Sequence, residues 1–79
     1  AATQDSKTAL QEWAHAHSGA TPVYTVTERI GPDHDPTFAV SVTIDGTEQG
    51  AGKGRSKRVA EQQAARAVLL AQGVWKDEA

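Results

Sequence analysis

The hydrophobic positions of the chain divide it into two helical segments and three extended segments. Asp5 or Ser6 can cap a helix in which apolar residues recur at helical spacing as far as about His17. Gly19 and then Pro22 end this helix, because glycine favours a helix C-terminus and proline cannot continue a helix. The predicted inner face consists of Ala9, Leu10, Trp13, Ala14 and His17.

Three strands are predicted to follow the first helix. Residues 23–30 are rich in Val, Thr and Tyr, and residues 31–36 form a loop with two prolines. Residues 37–44 alternate, which is typical of an antiparallel strand with one face on a core and one face in water. The inward set is Phe38, Val40, Val42 and Ile44, and the outward set is Thr37, Ala39, Ser41 and Thr43. Asp45–Gly46 predicts a tight turn into a third strand over residues 47–52.

A second helix is predicted to begin near Ser56 and to end at Gly73. Its flat inner stripe would be Ala60, Ala64, Ala67 and Ala71, with bulk added by Val68 and by Leu69 or Leu70. Trp75 is expected to fold back onto the core, whereas residues 1–4 and 76–79 are expected to be loose. The fold class is therefore α+β, in the order α-β-β-β-α, with both helices on one face of a three-stranded antiparallel sheet.

Length and composition narrow the function. Seventy-nine residues predict one domain over residues 1–79, with a core of about residues 6–72, and favour a binding module over an enzyme. The chain has no cysteine and no apolar run long enough to span a membrane, which favours a cytoplasmic protein without a thiolate metal site. Its net charge of −2 argues against a generic polyanion binder, so any nucleic-acid binding must come from a local arrangement of charge.

Such an arrangement occurs at residues 50–58, which read G-A-G-K-G-R-S-K-R. Four of the eight Lys and Arg residues lie here: Lys53, Arg55, Lys57 and Arg58. The alternating glycines would let the backbone approach a partner closely. A helix N-terminus presents unpaired N–H groups and partial positive charge, so this segment predicts a phosphate-binding site. Ser56 is either the N-cap, a ligand contact, or both.

The outer face of the first helix offers a second candidate surface. It carries Thr8, Gln11, Glu12 and His15, which share one side of the helix. Most of these side chains both donate and accept hydrogen bonds, which suits the 2′-hydroxyls and base edges of an A-form minor groove. The alternative interpretation is an ordinary solvated helix face.

Together, these features resemble a double-stranded RNA-binding domain, and more narrowly the C-terminal domain of bacterial ribonuclease III. The resemblance rests on the element order, the G-x-G-x-G-R-S-K-R-x-A-E-Q-x-A-A run, T-x-L-Q-E-W at residues 8–13 and G-P-D-H at residues 31–34. It implies that the outer face of the first helix enters one minor groove and that His34 enters the next. It also implies that the basic segment holds phosphates across the intervening major groove.

The resemblance further implies a module that binds duplex RNA but does not cut it. The magnesium-dependent nuclease domain would be a separate segment, so no cofactor is expected here. The isolated domain is expected to be a monomer, and the full-length enzyme a homodimer. Many members of the family carry a basic residue one turn into the second helix, where this chain has Glu61, as ribonuclease III domains often do; Glu61 is expected to weaken phosphate binding.

The residues do not support a metal site or a nucleotide-binding loop. Glu12, His15 and His17 have metal-ligand spacing but lack a second ligand set, and the glycine run lacks the spacing of a nucleotide-binding loop. A domain of this fold can also serve as a protein-interaction module, or as a regulatory RNA-binding protein with no nuclease attached.

Overall fold

A computed structural model describes residues 5–76, so the expectations for residues 1–4 and 77–79 lie outside it. The elements are α1 (Ser6–Ser18), β1 (Val23–Ile30), β2 (Thr37–Ile44), β3 (Thr47–Gly54) and α2 (Lys57–Ala71). The predicted order α-β-β-β-α is confirmed. Within residues 5–76, neither helix combines the length and apolarity needed to cross a membrane.

The three strands form one antiparallel sheet in the order β1-β2-β3. The core fills the space between this sheet and the two helices, and its largest fully buried side chains are Leu10, Val40, Val42, Val68 and Leu69. Trp75 packs against the core as predicted, and its backbone N–H donates to the Leu69 carbonyl at 3.1 Å. The predicted inward side of β2 therefore forms the floor of the core.

Helix α1 is capped at both ends by the expected residues. The Asp5 carboxylate accepts a hydrogen bond from the Thr8 backbone N–H at 3.2 Å, and Gly19 adopts a left-handed conformation at the other end. The prediction of an inward His17 is wrong, because this side chain is exposed and its ring lies 4.4 Å from that of Trp13. The large Trp13 ring closes this end of the core, so His17 covers the indole from outside.

Helix α2 begins after Ser56, whose hydroxyl accepts from the Val59 backbone N–H at 3.1 Å, so the N-cap prediction is confirmed. The alanine stripe is only partly inward: Ala60 and Ala64 are fully buried, but Ala71 is exposed. Ala65, which the stripe omitted, is also fully buried. The inner face is thus wider than one row of alanines, because α2 contacts both the sheet and α1.

The outward side of β2 also departs from expectation. Ala39 and Ser41 are buried, although the alternation placed them in water. The reason is the central position of β2, in which Ala39 lies between the longer side chains of Glu28 and Lys53 on the flanking strands. A short side chain between longer neighbours retains little accessible surface. The alternation along β2 therefore predicts which face of the sheet each side chain lies on, but not how exposed it is.

Strand β3 extends to Gly54 rather than residue 52, because Lys53 and Gly54 still pair with β2. Its three glycines face α2. A Cβ atom on Gly50 would lie 2.7 Å from Val68 Cγ2, and one on Gly54 would lie 2.7 Å from the backbone N of Ala60. At Gly52 it would lie 2.7 Å from Gln63 Cβ and closer still to the backbone N of Ala64. The glycines therefore make room for α2, and the close approach of a ligand to their backbone stays a prediction.

This packing predicts that Gly52→Ala destabilises the domain. The new methyl group would overlap the backbone of α2, which cannot rotate away, so the free energy of unfolding should fall by about 1–3 kcal/mol. Urea unfolding followed by circular dichroism measures the change. Ala51→Ser is the control, since Ala51 is exposed on the opposite side of the same strand. Equal stability of the two variants would contradict the packing argument.

Candidate nucleic-acid interface

The cationic start of α2, defined as Arg55, Lys57 and Arg58, is exposed in the structure. It surrounds a helix N-terminus whose first turn contains no acidic residue. Cations here oppose the helix dipole, which costs stability at a surface unless an anion is bound nearby. The arrangement of charged side chains and free N–H groups therefore suits an anionic group such as phosphate.

Lys53 does not belong to this group of cations. It alternates along β3 with Gly52 and Gly54, which face α2, so its side chain lies on the opposite face of the sheet. Its neighbour across the sheet is Ala39. The predicted RNA contact by Lys53 is thus separated from the start of α2 by the thickness of the sheet, and it stays a prediction.

The polar face of α1, defined as Thr8, Gln11, Glu12 and His15, is exposed along its whole length. The Thr8 hydroxyl donates to the Asp5 carboxylate at 3.3 Å, and His15 Nε2 lies 3.1 Å from the Thr21 hydroxyl. The side chains of Thr8 and His15 are therefore held by neighbours while remaining accessible to a ligand.

A shallow depression joins the two surfaces. Thr8 and Gln11 line it from α1, Arg58 lines it from α2, and its floor includes Lys7, Glu61 and Gln62. The structure thus brings residues separated by about 50 positions in the sequence to one surface. This juxtaposition is what a ligand with both hydroxyls and phosphates requires.

Glu61 has a partner that the sequence did not predict. Its carboxylate forms an ion pair with Lys7 of α1, with Nζ and Oε1 2.6 Å apart. The negative charge that was expected to weaken phosphate binding is therefore matched by a cation beside it. Both side chains are partly exposed, so the pair contributes little to stability by itself, on the order of 1 kcal/mol or less.

The Asp5 carboxylate also belongs to this junction. Loss of solvent would raise its pKa, but the hydrogen bonds from the Thr8 backbone, the Gln62 amide and the Thr8 hydroxyl lower it, as does the charge of Arg58. The net pKa lies below the ordinary value of 3.8. Asp5 therefore remains ionised and links the start of α1 to the charge of α2.

The loop over residues 31–36 presents an exposed His34. A turn closed by the Asp35 N–H and the Pro32 carbonyl, 3.0 Å apart, shapes the loop. Ile30 pairs with Thr37, and the next residue of β2 pairs with Gly54. The loop therefore lies at the same end of the sheet as the start of α2.

The spacing of Glu12, His15 and His17 does not produce a metal centre. Within residues 5–76, no three His, Cys, Asp or Glu side chains come together in a way that could hold a metal ion. His17 Nδ1 instead donates to the Trp13 carbonyl oxygen, 3.1 Å away.

Comparison with known families identifies the fold. Residues 6–71 match the model of the double-stranded RNA binding motif. The chain belongs to that family. Among curated proteins, Ribonuclease 3 of Brucella canis and Ribonuclease 3 of Brucella suis are each 57% identical to it over 76 residues, which are 96% of this chain and 31% of the relative. The chain thus spans about a third of the length of these relatives.

Solved structures of double-stranded RNA-binding domains have the same fold. The structure of both such domains of DRB4 with their linker superposes with a TM-score of 0.65 at 30% identity, covering 90% of this chain and 46% of that one. The second domain of DRB4 alone gives 0.61 at 32% identity, covering 85% and 93%. The second comparison spans nearly all of that domain.

Lys7, Glu61 and Tyr24 form a polar cluster that the sequence analysis missed. Lys7 pairs with Glu61, and its Nζ also lies 5.0 Å from the centre of the Tyr24 ring. The Tyr24 hydroxyl is buried, and among residues 5–76 it has no hydrogen-bond partner. These contacts join residues 17 to 54 positions apart, so no local spacing could have shown them.

Tyr24 therefore offers a probe of the junction. Burial, and then the negative charges of Glu61 and Asp5, raise the pKa of Tyr24 from 10.0 to about 12. Because folding raises this pKa, the stabilisation it represents is present below about pH 10 and is lost as the pH rises towards 12.

Tyr24 is the single tyrosine of the chain, so tyrosinate absorbance reports it alone. We expect a titration midpoint near 12 for the folded domain and near 10 in denaturant. A folded-state midpoint near 10 would contradict the buried position of the hydroxyl.

Proposed function

We propose that this domain binds double-stranded RNA by recognising the shape of the A-form helix, with little dependence on sequence. The observation that carries the proposal is the shared depression, where Thr8 and Gln11 of α1 meet Arg58 of α2. Hydroxyl and amide groups suit the 2′-hydroxyls of the wide minor groove, and the cations suit the phosphates beside it.

The contacts are divided among three regions of a rigid fold. The polar face of α1 would enter one minor groove, and His34 would enter the next. The cationic start of α2, together with Ser56, would bind the phosphates between these grooves. Domains of this family span about 16 base pairs in this way, contacting two successive minor grooves. The deep, narrow major groove of A-form RNA cannot be read by side chains, which accounts for recognition by shape.

The relatives support a wider role. Proteins named Ribonuclease 3 share 57% identity with this chain over a third of their length. We therefore propose that the domain is the substrate-binding module of a cytoplasmic ribonuclease III endoribonuclease. In this role the domain binds duplex RNA without magnesium and does not cleave it. The domain alone would be a monomer, and dimerisation would belong to the nuclease domain.

The test is a fluorescence-anisotropy titration of an RNA duplex of about 20 base pairs at several salt concentrations. The wild-type domain should bind this duplex much more tightly than the matching DNA duplex or single-stranded RNA. Lys57→Ala should weaken binding to every duplex sequence alike and reduce the slope of log K against log salt by about one unit, because one phosphate contact is lost.

Lys76→Ala is the matched control, since it removes the same charge from an exposed position beyond the other end of α2. An equal effect of the two variants would show that only net charge matters. Equal binding of RNA and DNA duplexes would contradict recognition of the A-form shape.

A further inference from the structure

Gln62, in the second turn of α2, makes several hydrogen bonds with the first turn of α1. Its amide Nε2 donates to the Asp5 carboxylate, and its Oε1 accepts from the Ser6 hydroxyl and, at 3.4 Å, from the Lys7 backbone N–H. The Ser6 hydroxyl also lies 2.8 Å from the Gln62 backbone carbonyl. One side chain thus reaches three consecutive residues of the other helix.

These bonds continue to the polar face of α1. The Asp5 oxygen that does not meet Gln62 accepts from both the backbone N–H and the hydroxyl of Thr8. A continuous chain of hydrogen bonds therefore runs from Gln62 through Asp5 to Thr8, a residue of the proposed minor-groove surface.

The Gln62 end of this hydrogen-bond network lies close to the cationic start of α2. Arg58 precedes Gln62 by four residues, so the two share one side of the helix. Arg58 also lies near enough to Asp5 for its charge to favour the ionised carboxylate. Gln62 thus stands between the residue that would hold phosphate and the residue that would meet the minor groove.

We infer that Gln62 is a positioning residue for RNA binding, which fixes the polar face of α1 relative to the cationic start of α2. The inference rests on the proposed function. Besides these bonds and the Lys7–Glu61 ion pair, both helices contribute small apolar side chains such as Ala14 and Ala65 to the core. Apolar packing is non-directional, whereas hydrogen bonds fix both the distance and the rotation of α1.

Such a fixed arrangement matters because the ligand is itself rigid. The spacing between 2′-hydroxyls and phosphates is set by the A-form helix, so both surfaces bind together only if their separation is correct. The ion pair between Lys7 and Glu61, the residue before Gln62, supports the same arrangement. If α1 were displaced, its polar face and the cationic start of α2 could not contact the duplex at the same time.

The experiment compares Gln62→Ala with Gln63→Ala in the duplex titration. Gln63 is the same residue type at the next position, but it is exposed and none of the hydrogen bonds between the helices involves it. Gln62→Ala should weaken RNA-duplex binding about threefold to tenfold with an unchanged salt slope, because no cation is removed. Gln63→Ala should bind like the wild type.

A double-mutant cycle separates positioning from a general loss of stability. With Gln11→Ala already present, part of the α1 contact is gone, so adding Gln62→Ala should cost less than it does in the wild type. Independent, additive losses would overturn the inference, as would full-strength binding by Gln62→Ala. If Gln62→Ala lowers the folded fraction, Ser6→Ala is the second variant. It removes the two hydrogen bonds of the Ser6 hydroxyl to Gln62 but keeps those of Gln62 to Asp5 and Lys7, so it should show a smaller loss of the same kind.

The two proposals fail differently in this experiment. A wild-type domain that does not bind the duplex would overturn the proposed function, and the inference with it. A wild-type domain that binds, beside a Gln62→Ala variant that binds equally well, would overturn the positioning role alone.

Discussion

The close contact between α2 and β3 is the constraint on which the rest of the structure depends. Gly50, Gly52 and Gly54 offer no side chains on the face that α2 covers, so the helix backbone lies directly against the strand. This contact sets where α2 begins, and hence where its cations and free N–H groups stand relative to the sheet. In the sequence these glycines resemble a ligand-binding loop, but in the structure they form a packing surface for α2. The proposed phosphate-binding residues follow them at the start of the helix.

A second, polar set of contacts places α1 on this frame. Asp5, Gln62 and the Lys7–Glu61 pair connect the first turn of α1 to the second turn of α2. Because both helices begin at this junction, the polar face of α1 and the cationic start of α2 open onto one depression. The negative net charge of the chain is then no obstacle to binding an anion, since the charge that matters is arranged locally.

Most of the fold could be predicted from the sequence, because its elements have strong local signals. The alternation of β2, the Asp45–Gly46 turn and the caps at Asp5 and Ser56 each depend on neighbouring residues. The errors arose where tertiary contacts decide the exposure of a side chain. His17 is exposed because Trp13 fills the space at that end of the core, and Ser41 is buried because it lies in the central strand. Of the candidate site, the exposed faces could be predicted, but the Gln62 and Glu61 contacts could not, because their partners lie more than 50 residues away.

The central claim is that duplex RNA lies across the helix face of the domain and not across the open face of the sheet. Chemical-shift mapping of the labelled domain during titration with an RNA duplex tests this most directly. The account predicts the largest changes at the backbone amides of Thr8, Gln11, His34, Lys57 and Arg58, with little change at Ser41 and Ala51 on the opposite face of the sheet. Changes concentrated at Ser41 and Ala51, with the helix face unaffected, would contradict it.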